Sequence, residues 1–257
     1  MTHHARELRK SVLKMSFAAQ DGNLQSAFSA VDIISAVYRN MVNPNDTSPH
    51  RNVFVLSKGQ ANCVLMAELA SKGTIEQTEL DSFCHIHSRI SMQADRTKFE
   101  RGVEVSAGSL GHGFPMAVGI AWAKKIKNAY GKVFVLVGDG EMNEGTMWEV
   151  ALFAASENLN NLVLIIDNNQ SIGKMIKIGS FEPKMRAFGF EYVAVDGHNE
   201  DELLRAFEMQ CDVPLVIDAS TTRGYGSLAL MSDNSWFHRA PTYDELTALL
   251  DEVERYA

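Results

Sequence analysis

The stretch of residues 133–169 decides the fold and reads V-F-V-L-V-G-D-G-E-M-N-E-G-T-M-W-E-V-A-L-F-A-A-S-E-N-L-N-N-L-V-L-I-I-D-N-N. Its first five residues are apolar and rich in valine, which predicts a buried parallel strand over 133–137. That strand ends at Gly138-Asp139-Gly140, where glycine permits a sharp turn. We expect a helix over 145–158 and a second strand over 162–166. The stretch therefore predicts one strand–helix–strand unit.

Polar side chains follow both predicted strands, with Asp139 after the first and Asn169 after the second. A right-handed crossover brings the ends of two parallel strands to the same edge of the sheet, where ligands of α/β proteins bind. One carboxylate and one amide oxygen suit a hard cation such as Mg²⁺, which takes its remaining ligands from phosphate and water. The sequence thus predicts a cation–phosphate site whose phosphates belong to a cofactor.

The spacing of these groups resembles a known signature. G-D-G, then 27 residues, then N-N resembles the thiamine diphosphate (ThDP) signature, and G-D-G-E-M-N-E-G-T-M-W-E at 138–149 is similar to its transketolase version. The resemblance extends over almost all of residues 5–257. It implies an α/β fold with an open, mostly parallel sheet and helices on both faces. Residues 1–257 would form one pyrophosphate-binding domain with N- and C-terminal helices.

The resemblance also implies a set of cofactor contacts. Leu110 would contact the aminopyrimidine ring, Gly140 would lie under the diphosphate, and Ile172 would pack on the thiazolium ring. The divalent cation, Mg²⁺ or another such as Ca²⁺ or Mn²⁺, would be held by Asp139, Asn169 and the backbone carbonyl of Ser171. The full set of implied cofactor-binding residues is Gln60, Gly108, Ser109, Leu110, Gly138, Asp139, Gly140, Glu141, Asn169 and Ile172.

Two acidic residues in this stretch allow more than one interpretation. Read from the residues alone, Glu141 is a solvated side chain. Glu144 matches an acidic residue that meets its symmetry mate near the dimer axis of the family, but it can instead support the first helical turn through the helix dipole.

The substrate side departs from the family. Asn23 and Gln60 stand where transketolases carry histidines, and the family's G-H-P has no counterpart at 91–94. His238 lies at the position of a substrate-side histidine, although it can equally be a rim residue ordered by Pro241. The resemblance therefore implies His238, Gln60 and Asn23 as catalytic residues. The two amides can form hydrogen bonds but cannot transfer protons near neutral pH.

The rest of the chain fits alternating strands and helices. Residues 84–101 are polar and predict an irregular segment. Ser29 is predicted to cap the second helix. The further predicted strands are 53–56, 192–195 and 215–219, and the further helices are 5–19, 30–38, 61–70, 114–127, 200–209 and 243–256.

Composition excludes several classes of protein. A net charge of −8, a pI near 5.5 and no Lys/Arg run argue against nucleic acid as a partner. No apolar run approaches the ~20 residues that span a bilayer, so we expect a cytoplasmic enzyme with no membrane partner. Three cysteines without a C-x-x-C pair predict buried free thiols rather than a disulfide framework or a zinc site.

In the family, a glutamate of a second, pyrimidine-binding domain activates the cofactor, and this chain resembles only the part that precedes that domain. The resemblance therefore implies a partner subunit with the pyrimidine and C-terminal domains. It also implies an α₂β₂ heterotetramer that acts on small molecules.

Three functions stay open. The first is a transketolase-like transferase that moves a two-carbon or acyl unit, and the second is a decarboxylating enzyme that uses a 2-oxo acid donor for acyloin-type bond formation. The third is a non-catalytic scaffold subunit, which the intact Asp139, Asn169 and glycine loop disfavour. A 2-oxo acid dehydrogenase α subunit is disfavoured because E-x-x-E-G-x-x-W-E at 141–149 follows the transketolase pattern.

Overall fold

A parallel five-stranded sheet organises the chain in a computed structural model that describes residues 1–171, 178–236 and 238–256. Its spatial order is β1-β2-β3-β5-β4, and every neighbouring pair is parallel. Val133 pairs with Leu162 and Gly138 with Asp167, so β2 and β3 end level with each other. The strands are β1 Val53–Leu56, β2 Val133–Gly138, β3 Leu162–Asn168, β4 Glu191–Asp196 and β5 Leu215–Ser220.

Helices cover both faces of this sheet. Phe134 and Leu136 of β2 pack into a core with α1, α2, α3, α7 and α9, while Val133, Val135 and Val137 pack into a second core with α4, α5 and α6. Covering both faces explains why β2 is a continuous apolar run. The predicted fold class is confirmed. The helices are α1 His3–Ala19, α2 Leu24–Asn40, α3 Asn62–Ser71, α4 Gly113–Ile126, α5 Gly145–Ser156, α6 Glu182–Phe188, α7 Glu200–Glu208, α8 Leu228–Ser232 and α9 Tyr243–Arg255.

The predicted start of the second helix is wrong. It begins at Leu24 rather than residue 30, and Ser29 lies inside it with its hydroxyl 2.7 Å from Asp167 Oδ2. Ser29 therefore serves a tertiary contact and not a helix cap. The short helix α6 is an addition to the predicted elements, with Pro183 in its first turn and Gly189 in the left-handed conformation after its last residue.

The cysteine prediction holds only in part. Cys63 is buried, Cys211 is half-buried, and Cys84 is exposed. Burial raises the pKa of the Cys63 thiol to about 12, which keeps it protonated at neutral pH.

None of the described helices combines the length and the apolar character needed to cross a membrane.

Candidate functional site

A buried ion pair lies beneath the carboxyl edge of the sheet. Asp167, at the end of β3, is fully buried and pairs through Oδ2 with the Lys58 ammonium group. Its Oδ1 accepts a hydrogen bond from the Thr221 hydroxyl. Lys58 Nζ also donates to Ser29 Oγ at 3.0 Å and to the Ser26 carbonyl at 2.9 Å. Since these groups come from α2 and from the ends of β1, β3 and β5, the pair fixes that edge of the sheet.

The three residues predicted to bind a cation form one cluster above this pair. Ser171 Oγ donates to Asp139 Oδ1 at 2.6 Å, and Ser171 N donates to Asn169 Oδ1 at 3.1 Å. Asn169 Nδ2 donates to Ser29 Oγ at 3.1 Å, which turns its amide oxygen toward Ser171. Asp139 and Asn169 are both buried. The strand–helix–strand unit therefore brings the carboxylate and the amide oxygen to one place.

This donor set fits a magnesium ion that binds together with a diphosphate. The described residues contain no group of three or more His, Cys, Asp or Glu side chains able to hold a metal by themselves. A single carboxylate, an amide oxygen and a backbone carbonyl would leave three of the six positions of an octahedral shell for phosphate and water, as suits Mg²⁺.

The glycine loop approaches the loop after β1 backbone to backbone. Gly108 has φ +151°, and a Cβ placed on it would lie 2.2 Å from Gln93 Oε1. A Cβ on Gly59 would lie 2.7 Å from Gly108 Cα. Ser109 and Leu110 follow with exposed side chains. Gln93 thus occupies the space beside Gly108. This contact was not predicted from the sequence, in which segment 91–94 differed from the family by the lack of a histidine.

Glu141 is buried, so the interpretation of its side chain as solvated is wrong. Its carboxylate accepts hydrogen bonds from the Ser57 hydroxyl and from Gly111 N, the latter at 2.9 Å. Burial raises the pKa of Glu141, while these two hydrogen bonds act in the opposite direction. Glu141 therefore anchors the loop that carries Gly108 and Leu110.

A cavity of about 620 Å³ opens beside Ser171. It brings together Asn23 and Gln60, two of the residues predicted to face the substrate. Asn23 Oδ1 is buried and has no hydrogen-bond partner among the described residues. The described lining is made of amides, hydroxyls, one guanidinium and one indole: Asn23, Gln25, Ser26, Gln60, Gln170, Ser171, Arg223, Asn234 and Trp236.

His238 is not among the described residues that line the cavity. Its side chain is 60% exposed and its Nδ1 lies 3.9 Å from Asp21 Oδ1, which places it near the Asn23 loop but outside the cavity lining. Gly138 and Gly140 are half-buried at the end of β2. Glu144 makes no side-chain capping hydrogen bond at the start of α5. Ile172 lies outside the described residues.

Arg223 and Trp236 are lining residues that the sequence did not single out. Arg223 belongs to T-T-R-G-Y-G-S at 221–227. The resemblance matched this segment to a family loop but assigned no role to its arginine. A basic residue three positions after the core strand β5, at the edge where the strands end, was the available signal.

Comparison with known proteins agrees with this geometry. Residues 3–252 match the family described as "Transketolase, thiamine diphosphate binding domain". The apulose-4-phosphate transketolase subunit of Actinobacillus succinogenes is 33% identical over 256 residues, which cover 96% of this chain and 92% of that protein. Transketolase of Pongo abelii is 33% identical over 260 residues, which cover 97% of this chain but 41% of that protein.

The solved transketolase of Campylobacter jejuni superimposes with a TM-score of 0.88 at 27% identity and covers 98% of this chain. The match spans 42% of that longer chain. One conclusion follows from the parallel sheet, the clustered Asp139 and Asn169 and the family match. This chain belongs to the transketolase family and corresponds to its thiamine diphosphate-binding domain.

Proposed function

We propose that this chain is the ThDP- and Mg²⁺-binding subunit of a two-component, transketolase-like transferase that moves a two-carbon ketol or an acyl unit to an aldehyde-type acceptor. The observation that carries the proposal is the hydrogen-bonded cluster of Asp139, Asn169 and Ser171 beside an amide-lined cavity. When bound, the cofactor would act as the electron sink for carbon–carbon bond cleavage and formation.

The chain's own residues would bind and orient the cofactor. Asp139, Asn169 and the Ser171 carbonyl would hold Mg²⁺, or Ca²⁺ or Mn²⁺ in its place. Gln60 and the backbone of Gly138, Gly140 and Glu141 would contact the diphosphate end, and Gly108, Ser109 and Leu110 would contact the ring. Support for the last set comes from Glu141, which fixes Gly111 and so limits movement of the loop before it.

A partner subunit would complete the site. Relatives that this chain covers nearly end to end are named as subunits of transketolases. We propose a partner with pyrimidine and C-terminal domains that supplies the activating glutamate, in an α₂β₂ assembly. Residues 1–257 would contribute a single domain, and the complex would work in the cytoplasm on small molecules.

The amide side chains that line the cavity favour a second candidate function, that of a decarboxylating enzyme. Asn23 and Gln60 can orient substrate hydroxyls or carbonyls but cannot act as acids or bases near neutral pH. A decarboxylating ThDP enzyme with a 2-oxo acid donor needs less proton transfer to donor hydroxyls. Its donor would lose CO₂, whereas a ketose donor would not.

Donor use by the reconstituted complex tests the proposal. The chain is mixed with the product of an adjacent reading frame that encodes a pyrimidine domain, and with ThDP, Mg²⁺ and an aldehyde acceptor. Xylulose 5-phosphate and pyruvate are then supplied separately. We expect transfer from the ketose without CO₂. Product formation from pyruvate alone, with CO₂ release, would establish the decarboxylating alternative. Failure of ThDP to bind the complex in calorimetry would favour the scaffold.

A further inference from the structure

The loop of residues 221–225, which follows β5 and is called the cavity loop below, forms part of the cavity wall through Arg223. Its start is fixed to the neighbouring strand. The Thr221 hydroxyl donates a hydrogen bond to the buried Asp167, and Thr221 N donates to the Asn168 carbonyl at 3.2 Å. The position of the cavity loop therefore determines the shape of the cavity beside the end of β5.

A histidine outside the cavity holds this loop. His198 lies between β4 and α7, its side chain is 7% exposed, and it is not among the described residues that line the cavity. Its Nε2 lies 2.9 Å from Thr222 N. Its ring stacks on Tyr225, with ring centroids 3.6 Å apart and an angle of 11° between the planes. One imidazole thus contacts the cavity loop on both sides of Arg223.

The partners of His198 assign its tautomer. A backbone N–H can only donate, so Nε2 accepts the hydrogen bond from Thr222 and carries no proton. The ring proton is then on Nδ1, which lies 2.7 Å from Asp32 Oδ2 and donates to it. Asp32 is held in turn by Arg9, which donates to both carboxylate oxygens at 3.1 and 2.7 Å. Arg9, Asp32 and His198 thus form a chain of hydrogen bonds that ends at the backbone of the cavity loop.

The other backbone anchors of the cavity loop do not depend on this histidine. The loop starts on β3, as described above, and Gly224 N donates to the Gln25 carbonyl of α2 at 3.0 Å. Removal of the acceptor at His198 would leave Thr222 N without its hydrogen bond in a loop that is still held before and after it. The expected consequence is a local shift of the backbone around Arg223 rather than unfolding.

We propose that His198 is a positioning residue of the site: by accepting the hydrogen bond from Thr222 N, it holds the cavity wall in the form that binds the substrate. The catalytic consequence rests on the proposed function, whereas the loop contact does not. A purely structural role would use the other ring nitrogen, which pairs with Asp32 and joins the β4–α7 turn to α2. Because the two roles use different nitrogens, amide variants separate them.

Asparagine and glutamine each replace one ring nitrogen of His198. In His198→Asn the amide can still donate to Asp32 from the position of Nδ1, but it offers no acceptor to Thr222 N. In His198→Gln the amide oxygen takes the position of Nε2, and the donor to Asp32 is lost. The matched control is His4→Asn, because His4 also pairs with a buried carboxylate, that of Glu68 at 2.7 Å, but joins α1 to α3.

The first measurement needs no cofactor and follows backbone hydrogen exchange of the full chain by NMR. We expect the Thr222 amide to exchange at least about 10-fold faster in His198→Asn, and within about threefold of the unmodified chain in His198→Gln and His4→Asn. The Gly224 amide should stay protected in every variant, which shows that the loop remains folded. Equal exchange of Thr222 in the two His198 variants, or a protonated Nε2 in the ring-nitrogen spectrum of the unmodified chain, would overturn the proposal.

The second measurement is the kinetics of the reconstituted complex with the donor that it accepts, xylulose 5-phosphate or pyruvate. We expect His198→Asn to raise the donor KM about 3- to 10-fold, as the loss of one hydrogen bond does, with kcat within about twofold. His198→Gln and His4→Asn should keep the KM of the unmodified chain. An equal rise in KM for both His198 variants would assign His198 to a structural role and overturn the proposal. If the complex takes up no ThDP while Thr222 exchange still differs between these variants, the proposed function fails and His198 remains the residue that positions the cavity wall.

Discussion

Asn168 and Asn169 are consecutive asparagines with different hydrogen-bond partners. Asn168 Nδ2 donates to Asp218 Oδ1 at 2.9 Å on the neighbouring strand β5. Asn169 lies beyond the strand, where it contacts Ser29 and the Ser171 backbone. Two residues of the same type, one position apart, therefore offer a matched test of the cation site.

We expect Asn169→Ala to lower Mg²⁺-dependent ThDP affinity at least about 10-fold. The amide oxygen would be lost as a ligand of the cation, and even a hydrogen bond to a charged group contributes about 1.5–3 kcal/mol. Asn168→Ala removes a hydrogen bond between strands and should cost about 1 kcal/mol of stability while changing ThDP affinity less than about threefold. Calorimetric titration of the complex with ThDP at fixed Mg²⁺ measures the ThDP affinity of each variant. Equal affinities for the two variants would remove Asn169 from the cation site.

Single residues show where prediction from sequence stops. The convergence of Asp139 and Asn169 was predictable because parallel strands joined by a crossover must end at one edge. The pairing of Lys58 with Asp167 was not, because no local pattern links a residue after β1 with a residue 109 positions later at the end of β3. Glu141 was misread because its burial depends on Ser57 and the Gly111 loop, which only the tertiary structure brings to it.

The helices α1 and α2 are joined by a buried charge cluster. Arg9 is fully buried and donates to both carboxylate oxygens of Asp32, at 3.1 and 2.7 Å. His198 Nδ1 lies 2.7 Å from Asp32 Oδ2. Burial by itself raises the pKa of Asp32, but Arg9 and His198 outweigh it, so the pKa lies below its usual value. The cluster therefore holds a charged carboxylate between the two helices.

We expect Asp32→Asn to destabilise the chain by about 3–5 kcal/mol at pH 7, because it leaves the Arg9 charge buried without its partner. A lowered pKa means that the unfolded chain binds the proton more readily. The stabilisation is thus complete above the usual aspartate pKa of 3.8 and is lost as the pH falls through the lower folded-state value.

Urea denaturation at pH 7, 5 and 3 measures this prediction, and the difference between unmodified chain and Asp32→Asn should shrink only at the lowest pH. Asp251→Asn removes an exposed carboxylate of α9 and should cost less than about 1 kcal/mol throughout. A gap that stays constant from pH 7 to pH 3 would contradict the lowered pKa of Asp32.

Strands were easier to predict than helix starts. The strand predicted at 53–56 matches β1, and the other predicted strands match within two residues at each end. Continuous apolar runs determine β2 and β3 in particular, since a strand covered on both faces has to be apolar. The start of α2 was missed because its first turns carry Gln25 and Ser26, which bind other elements through tertiary hydrogen bonds.

Apolar side chains remain exposed on the outer face of α4 and α5. Trp122 and Phe153 pack edge to face with centroids 5.5 Å apart, and Ile126 and Leu152 are about 60% exposed nearby on the same two helices. Four exposed apolar side chains on two helices, two of them in contact, are typical of a surface that another protein covers. Glu144, expected at the dimer axis, is the N-cap residue directly before α5. We therefore expect a second copy of this chain to cover this face.

At the level of the assembly, Leu152→Asp should weaken self-association at least about 10-fold, because it places a charge in the apolar interface. Mass photometry of the complex over a concentration series measures this as a shift from the tetramer to the half-assembly. Ile86→Asp changes an exposed apolar residue in the irregular segment and should leave the mass distribution unchanged. An unchanged distribution for Leu152→Asp would place the interface elsewhere.

The strand order has a consequence for synthesis on the ribosome. In the order β1-β2-β3-β5-β4, the edge strand β4 pairs, among the strands that the structure describes, with β5 alone, which is made after it. While β1, β2 and β3 can already form a three-stranded sheet, β4 must wait for β5, roughly one to five seconds at ~5–20 residues per second. During that interval β4 is a strand with both edges open, and the loop that carries Arg223 does not yet exist. The nascent chain is therefore most exposed to mispairing just before its cavity is completed.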